Sequence, residues 1–185
     1  MKILVACEES GTVRDAFIAH GHRAVSCDII PSRRPGPHIV DDVLNVLGDG
    51  WDMMIAFPPC THLAVSGARW WAGKDPQLQA GALDFVRALM AAPIDRIAIE
   101  NPIGKISTAI RKPDQIIHPW QFGHGEVKST CIWLRNLPCL VPTRIVEGRI
   151  PRIHQMLPGP DRARDRSVTY QGVADAMAAQ WGDII

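Results

Sequence analysis

The sequence lacks the features that mark membrane-spanning, secreted and metal-clustered proteins. No apolar run approaches the roughly 20 residues that a membrane helix needs, and the apolar part of the N-terminal MKILVACEES is too short for a secretory signal. The five cysteines are widely spaced and no C-x-x-C pair occurs, which disfavours a zinc ribbon, a redox pair or a disulfide framework. We therefore expect a protein of the reducing cytoplasm, with no membrane partner and no bound metal.

An excess of charge of one sign is also missing. Lysine and arginine total 20, aspartate and glutamate total 19, and the net charge is +1. Binding to nucleic acid through a uniformly basic surface is therefore excluded, and a local patch would have to serve. Two stretches qualify: the arginine-rich residues 144–166, and residues 69–74, where two tryptophans among basic residues can stack on bases. Such stretches are also typical of solvated loops or of side chains that cover the core.

What the sequence does contain is an alternation of apolar runs and helical patterns. Its 185 residues, 46% of them hydrophobic, suffice for one domain with a sheet covered on both faces. Strands that alternate with helices are typical of a doubly wound α/β fold, a three-layer sandwich with a mostly parallel sheet. The predicted strands cover residues 3–6, 23–29, 51–57, 96–101 and 128–134, with a weak strand or short helix within 40–47. The predicted helices start near Thr12, at Asp75-Pro76 and near Val173, and residues 142–166 are predicted to be irregular.

Polar side chains follow the predicted strands at the point where each strand ends. They are Glu8 and Glu9, Asp28, Cys60, and the pair Glu100-Asn101. Since ligands of open parallel sheets bind beyond the carboxyl ends of the strands, we expect these side chains to converge on one edge. The first turn, ACEESGTV, is small like a nucleotide-binding turn but lacks a full G-x-G-x-x-G. Asp28, about 20 residues further on, suits a pair of ribose hydroxyls.

Cys60 stands directly after two prolines that end the third strand. Prolines cannot continue a central strand or enter a helix interior, so IAFPPC predicts a thiol on a rigid loop just past the strand end. A single cysteine there is usually a buried apolar residue. Because Glu100 and Asn101 end the next strand before another proline, the pattern favours a catalytic nucleophile, and we expect neighbouring backbone N–H groups to lower the pKa of Cys60. The other cysteines are interpreted as buried structural thiols: Cys7, Cys27, Cys131 and Cys139.

The chain resembles the C5-cytosine DNA methyltransferase family in the motifs FPPC, residues 57–60, and ENP, residues 100–102. Residues 118–138 are similar to small phage-type members of the family, and residues 167–181 resemble its last cofactor-side motif. The resemblance implies a Rossmann-like fold, S-adenosylmethionine as the cofactor and DNA as the partner. It also implies one catalytic domain over residues 1–185 without an evident separate target-recognition domain, so that a protein partner or a second copy would supply recognition.

The same resemblance implies the roles of individual residues. Cys60 is expected to add to C6 of cytosine, Glu100 to hold N3 and the exocyclic amine, and Asn101 to support the loop. In a duplex the target base must first flip out of the stack. The expected cofactor-binding residues are Ala6, Cys7, Glu8, Ser10, Gly11, Asp28, Ile29, Asp42 and Pro58. The expected substrate-binding residues are Pro59, Thr61, Ser66, Arg69, Trp70 and Lys128.

Departures from the family pattern leave other functions open. Thr61 follows the Pro-Cys pair where the family has Gln, Pro102 stands where it has Val, and no Gln-x-Arg-x-Arg motif occurs. The same chemistry can act on RNA or a free nucleotide, or a modified sulfonium cofactor can donate a different group. A chain that binds nucleic acid or a partner protein without catalysis is a third alternative. An amino-group methyltransferase fits poorly, because Phe57 and Cys60 replace the amide and the aromatic residue of its loop.

Overall fold

A seven-stranded sheet organises the described part of the chain. The computed structural model describes residues 1–65, 75–151 and 162–184. The strands of these residues are β1 (Lys2–Ala6), β2 (Arg23–Asp28), β3 (His38–Val40), β4 (Met53–Ala56), β5 (Arg96–Pro102), β6 (Gln115–Ile117) and β7 (Thr130–Arg135). The α-helices of the same residues are α1 (Thr12–Ala19), α2 (Pro76–Met90), α3 (Ile106–Ala109), α4 (Arg162–Ser167) and α5 (Gln171–Gly182).

The strand order contains a reversal that opens a crevice. Across the described residues the order is β3-β2-β1-β4-β5-β7-β6, and all neighbours are parallel except that β7 runs antiparallel to β5 and β6. The chain moves outward from β1 to β3 on one side and returns to β4 on the other. Such a switch point leaves a ligand crevice beyond the carboxyl ends of the two strands that flank it. Ala6 and Ala56 pair at this point, so the segments that follow β1 and β4 leave the sheet side by side.

Helices cover both faces of the sheet. On one face α1 and α5 pack around Phe17, Met177 and Trp181, all of them 0% exposed. On the other face α2 and α3 pack over the sheet around Met54 and Leu89. Full burial of one such side chain contributes about 1.5–3 kcal/mol, so two apolar cores hold the sheet between the helical layers. The expected three-layer α/β sandwich with a mostly parallel sheet is confirmed.

Local signals in the sequence set the start of two helices. Asp75 caps α2, since its carboxylate accepts a hydrogen bond of 2.8 Å from the N–H of Gln77, and Pro76 occupies the first turn. Gly11 precedes α1 with a φ of 73°, a conformation that other residues adopt only with strain. Both helices therefore begin where the sequence predicts. Throughout the described ranges, no helix combines the length and the apolar character required to cross a membrane.

Pairing between distant segments produces elements that the sequence does not predict. The strand β6 has three residues and exists through its pairing with β7. Residues 162–167 form α4, and residues 142–150 run beside residues 120–127, where composition alone predicts irregular chain. One bond of this contact joins the N–H of Gly123 to the carbonyl oxygen of Arg144 at 2.8 Å. The prediction fails there because short elements held by remote partners have no periodic pattern of their own.

Candidate active site

Asn101 ties the Pro-Pro-Cys loop to the end of β5. Its Nδ2 donates a hydrogen bond of 2.7 Å to the carbonyl oxygen of Pro58, and its side chain is buried. Asn101 lies within β5, as the predicted strand over residues 96–101 implies, and is opposite Cys131 of β7. Since a position inside the sheet restricts the orientation of the amide, the sheet itself positions the loop that carries Cys60.

Hydrogen bonds between backbone groups hold the residues that follow Cys60. The N–H groups of Leu63 and Ala64 donate to the carbonyl oxygen of Cys60 at 3.0 and 2.9 Å, which forms a tight turn. Ala64 then pairs with Gly104, and the N–H of Lys105 donates to the carbonyl oxygen of Leu63 at 2.8 Å. The loop around Cys60 is therefore anchored to the end of β5 on both sides of the thiol.

Cys60 and Glu100 lie within electrostatic reach of each other at the carboxyl ends of β4 and β5. Burial, followed by the negative charge of Glu100, raises the pKa of Cys60, while Lys128 and Arg166 lower it to a smaller extent. A backbone hydrogen bond does lower the pKa of Cys60, as expected, but the net shift is upward, because burial and Glu100 disfavour the thiolate more than its other neighbours stabilise it. Cys60 stays a thiol until a change at the site favours its ionisation.

Glu100 holds its proton more firmly than an ordinary carboxyl group. Burial raises the pKa of Glu100, and the charge of Lys128 and a hydrogen bond with Thr130 oppose this in part. A protonated carboxyl group donates a hydrogen bond, and an ionised one accepts. Glu100 can therefore give a proton to a ring nitrogen bound beside it and take the proton back.

Glu100 lines a small pocket at the carboxyl edge of the sheet. Lys128, Thr130 and Tyr170 contribute polar groups to the same pocket. The apolar lining comes from Ile117, Pro119, Val173 and Met177. The ammonium of Lys128 donates to the carbonyl oxygen of Arg166 at 3.0 Å, which links the pocket to α4. Apolar walls with a few polar groups suit a flat ring that carries hydrogen-bonding atoms.

Three of the expected cofactor-binding residues, Cys7, Asp28 and Asp42, come close together at the carboxyl ends of β1, β2 and β3. Cys7 follows β1 with a φ of 57°, so the chain turns sharply there. Burial raises the pKa of Cys7, and the charges of Asp28, Cys27 and Asp42 add to this, so Cys7 remains a neutral thiol. These interactions place the carboxylates of Asp28 and Asp42 close to the first turn.

Asp28 stands among apolar side chains that remain exposed. One oxygen of its carboxylate accepts a hydrogen bond of 3.2 Å from the N–H of Ile30, and burial raises its pKa. Ile29 is 75% exposed, and Val40, which pairs with Asp28 across β2 and β3, is 57% exposed. Apolar surface beside a carboxylate is what an aromatic ring joined to a hydroxylated sugar requires.

Glu8 is occupied by contacts within the protein. Its carboxylate accepts hydrogen bonds from the N–H groups of Val13 at 2.6 Å and Arg14 at 3.2 Å, and from the hydroxyl of Ser10 at 3.0 Å. Glu8 therefore caps the first turn of α1, whose free N–H groups need such an acceptor. A contact of this carboxylate with a cofactor stays a prediction. The same holds for the other residues expected at the crevice: Ala6, Ser10, Gly11 and Pro58.

The expected substrate-binding residues divide into two groups. Pro59 and Thr61 are exposed on either side of Cys60, and Lys128 lies in the pocket of Glu100. Contact of these three with a substrate stays a prediction. The remaining three lie outside the described residues: Ser66, Arg69 and Trp70.

Comparison with known proteins identifies the fold. No family model and no curated protein matches the chain. A protein described as a DNA modification methyltransferase encoded within an E. coli prophage matches with a TM-score of 0.53 and 13% identity, over 84% of this chain and 55% of its own. The fold is that of a Rossmann-like methyltransferase. A mutant of Spodoptera frugiperda DNMT2 matches with a TM-score of 0.44 and 15% identity, over 80% of this chain and 56% of its own.

The chain thus spans just over half the length of either solved structure. On this methyltransferase fold, two residues that sequence reasoning missed shape the candidate site. Gly104 allows the segment after β5 to approach Leu63, and Arg14 is a buried cation beneath the loop that follows β2. The only local signal for Gly104 is a glycine shortly after a strand that ends in proline. Nothing local distinguishes Arg14 from a polar residue on the exposed face of a helix.

Histidines do not form a metal centre in the part of the chain that the structure describes, where no three potential ligands come together. His124 instead contacts the start of helix α5. Its Nε2 accepts a hydrogen bond of 2.9 Å from the N–H of Gly172 in the first turn of α5. The imidazole also packs on the ring of Tyr170, with 5.1 Å between the ring centroids. His124 therefore supports the wall of the Glu100 pocket.

Proposed function

We propose that the chain is an S-adenosylmethionine-dependent methyltransferase that modifies C5 of cytosine in DNA through a covalent adduct with Cys60. The observation that carries the proposal is the hydrogen bond from Asn101 to Pro58, since it holds the loop of Cys60 against the strand end that bears Glu100. A nucleophile next to a proton donor is what addition to a pyrimidine ring requires. The FPPC and ENP motifs, in which the chain resembles the C5-cytosine family, support the same assignment.

Cys60 and Glu100 divide the chemistry of the ring between them. Carbon C5 of cytosine is a poor nucleophile, and addition of the Cys60 sulfur to C6 makes it enamine-like. As the S–C6 bond forms, the displaced electrons shift through the ring to N3, which takes a proton from Glu100. The raised pKa of Glu100 favours the protonated form that donates this proton. Loss of the C5 proton to a base later expels the Cys60 sulfur, and the N3 proton returns to Glu100.

The site disfavours the thiolate of Cys60, and the size of this effect depends on the charge of Glu100. Burial and the ionised carboxylate of Glu100 raise the pKa of Cys60. A protonated Glu100 carries no charge, so it removes the second of these causes. Lys128 and Arg166 then remain as the charges that favour the thiolate. The protonated state of Glu100 therefore suits both the nucleophile and the ring nitrogen.

The crevice between β1 and β4 fits S-adenosylmethionine by the chemistry of its residues. Asp28 offers carboxylate oxygens to ribose hydroxyls, and Ile29 and Val40 offer exposed apolar surface to an adenine ring. Cys7 remains neutral, so the local charges are those of the nearby carboxylates. When bound, the cofactor supplies a methyl group on a sulfonium, which is the electrophile for C5.

The same chemistry on RNA or on a free nucleotide is a second candidate. Every strand of the described residues belongs to one sheet, which favours a substrate that does not need a separate duplex-reading domain. A single-stranded or monomeric substrate needs neither such a domain nor base flipping. The pocket of Glu100 has apolar walls and a few polar groups, as a site for a base requires.

The experiment that tests the proposal presents methyl-labelled S-adenosylmethionine with cytosine-rich DNA, RNA or dCMP in parallel. We expect label at C5 of cytosine in DNA for the wild type and none for Cys60→Ala. Cys139→Ala is the matched control, because Cys139 lies outside the site and is exposed, so the prediction that it is buried is wrong. A DNA that carries 5-fluorocytosine should trap the adduct, since fluorine cannot leave C5 as a proton. Peptide mass analysis should then locate the oligonucleotide on Cys60.

Each other outcome selects a different function. Label in RNA or dCMP alone supports the second candidate, and label on the exocyclic amine contradicts C5 chemistry. Cofactor binding without any labelled product contradicts plain methyl transfer by the chain alone and points to a modified donor or a required partner. If neither cofactor binding nor label is detected, the methyltransferase proposal fails and a binding module replaces it.

A further inference from the structure

Arg14 is a buried charge that the proposed chemistry does not use. Its side chain is 0% exposed on α1, and a guanidinium stays ionised in any protein environment. Nε and Nη2 each lie 2.8 Å from a carboxylate oxygen of Asp15, and Nη1 donates to the hydroxyl of Ser26 in β2 at 3.2 Å. Because a buried cation is tolerated only when its donors are partnered, its other contacts show what it holds in place.

The remaining hydrogen bonds of the Arg14 side chain reach residues 29–37, here called the β2–β3 loop. Nη1 donates to the hydroxyl of Ser32 at 3.1 Å, and Nη2 donates to the carbonyl oxygens of Pro35 at 3.0 Å and Arg34 at 3.4 Å. Gly36 lies so close that a Cβ there would be 2.7 Å from the central carbon of the guanidinium. The β2–β3 loop therefore wraps around this one side chain.

The opposite side of the β2–β3 loop is tied to the turn after β1. The N–H of Arg33 donates to the carbonyl oxygen of Glu9 at 2.7 Å, and the two side chains form an ion pair of 2.5 Å. The imidazole of His38 contacts the carbonyl oxygen of Ile30 at 3.0 Å. The loop is thus held from the β1–α1 segment on two sides, by Arg14 and by Glu9.

The β2–β3 loop begins at the residues to which the proposed function assigns the ribose and the adenine. Asp28 accepts its hydrogen bond from Ile30 inside the loop, and Ile29 is the first loop residue. We propose that Arg14 is a positioning residue for the cofactor: its guanidinium clamps the β2–β3 loop and so places Asp28 and Ile29 at the crevice. The identity of the ligand rests on the proposed function, whereas the clamp itself does not.

The planar fork of Arg14, rather than its charge, makes this clamp. Five N–H donors in one plane reach a strand and several loop atoms at once, whereas a lysine ammonium is a point charge on a flexible stem. Arg14→Lys therefore keeps the charge and removes the fork. Ser32→Ala removes one contact of Arg14 with the loop and leaves Arg14 in place, and it also removes the hydrogen bonds between the Ser32 hydroxyl and the backbone of Arg34.

The experiment compares the wild type, Arg14→Lys and Ser32→Ala with the control Arg23→Met. Arg23 is an exposed arginine at the opposite end of β2. Amide hydrogen exchange of residues 29–37 reports on the clamp, and calorimetric titration with S-adenosylhomocysteine reports on the crevice. We expect Arg14→Lys to accelerate exchange and to weaken binding by about 10-fold or more, since one hydrogen bond to a charged group is worth roughly that factor. Ser32→Ala should change the exchange rate and the affinity in the same directions but by less, and Arg23→Met should change neither quantity.

Three results would overturn the inference in whole or in part. Unchanged hydrogen exchange of the β2–β3 loop in a folded Arg14→Lys variant would contradict the proposal that Arg14 holds the loop. If Arg14→Lys does not fold, unchanged exchange in Ser32→Ala would contradict it instead. Faster exchange with unchanged affinity overturns the link to the cofactor. A wild type that binds no S-adenosylhomocysteine contradicts the proposed function together with that link, while the exchange data still decide whether Arg14 holds the loop.

Discussion

Gly104 meets Leu63 with no space for a side chain between them. A Cβ on Gly104 would overlap the carbonyl oxygen of Leu63 and lie 2.8 Å from its carbonyl carbon. This approach allows the antiparallel pairing between Ala64 and Gly104. The contact therefore joins the two halves of the candidate site, the turn after Cys60 and the segment after the strand that bears Glu100.

Gly104→Ala is expected to separate these two halves. The backbone has to shift to admit the Cβ, which costs about 1–3 kcal/mol of the free energy of unfolding, and methyl transfer should fall because the turn after Cys60 moves. Urea denaturation and the rate of label transfer measure the two effects. Gly81→Ala is the control, since nothing lies near Gly81 on α2 and alanine favours a helix. A Gly104→Ala variant as stable and as active as the wild type would show that the contact is dispensable.

Asn101→Ala is expected to release the loop of Cys60. Loss of the buried hydrogen bond leaves the carbonyl oxygen of Pro58 without this donor, at a cost of about 1–3 kcal/mol. A nucleophile displaced by about 1 Å loses roughly 100-fold in rate, so kcat should fall more than cofactor affinity. Steady-state kinetics and calorimetry separate the two quantities. Asn45→Ala, which removes an exposed amide, should change neither, and equal losses of both in Asn101→Ala would argue for general misfolding.

Alkylation of Cys60 should rise at a pH above the range of an ordinary thiol. The thiolate is the reactive form, and burial together with Glu100 raises the pKa of Cys60. Glu100→Gln removes a negative charge and should move the alkylation profile to lower pH. Lys128→Met removes a positive charge and should move it to higher pH. Mass analysis of the Cys60 peptide after iodoacetamide treatment measures the profile.

The alkylation experiment carries its own control, because Cys139 is exposed in the same chain and reports the reagent's reactivity at each pH. Opposite shifts in the Glu100 and Lys128 variants are required. A profile that stays in place in both variants, or that moves the same way in both, would contradict the electrostatic coupling described for the pocket.

His124 is expected to make the stability of the protein depend on pH. Its Nε2 accepts from Gly172, so the imidazole is neutral in the folded state, and burial lowers the pKa of His124 from 6.5. The folded state therefore binds fewer protons than the unfolded state, and this contribution to stability is complete above pH 6.5 and lost as the pH falls through the lowered value. His124→Ala should cost about 1 kcal/mol at neutral pH and less in acid. Urea midpoints of the wild type and His124→Ala across a pH series test this.

Local chemistry explains why much of the fold could be predicted from the sequence. Runs such as residues 3–6 and 53–56 are continuous and apolar because strands buried on both faces need them, and both are fully buried. Asp75-Pro76 marks a helix start through atoms that lie within two residues of each other. The α/β class follows from the alternation of these elements, and the place of Cys60 past a strand end follows from two prolines that no strand accommodates.

The tertiary structure decided what depends on residues far apart in the chain. The bond from Asn101 to Pro58, the close approach of Gly104 to Leu63 and the burial of Arg14 under the β2–β3 loop all join segments that no local pattern pairs. The pKa of Cys60 is the clearest case. The sequence alone, by placing the thiol on a loop, favours an acidic group, whereas folding buries it beside Glu100 and the cost of desolvation exceeds the help of nearby donors. The sequence by itself determined which reactive side chains are present and at which strand ends they lie. Packing determined how readily these side chains ionise and which distant segments they contact.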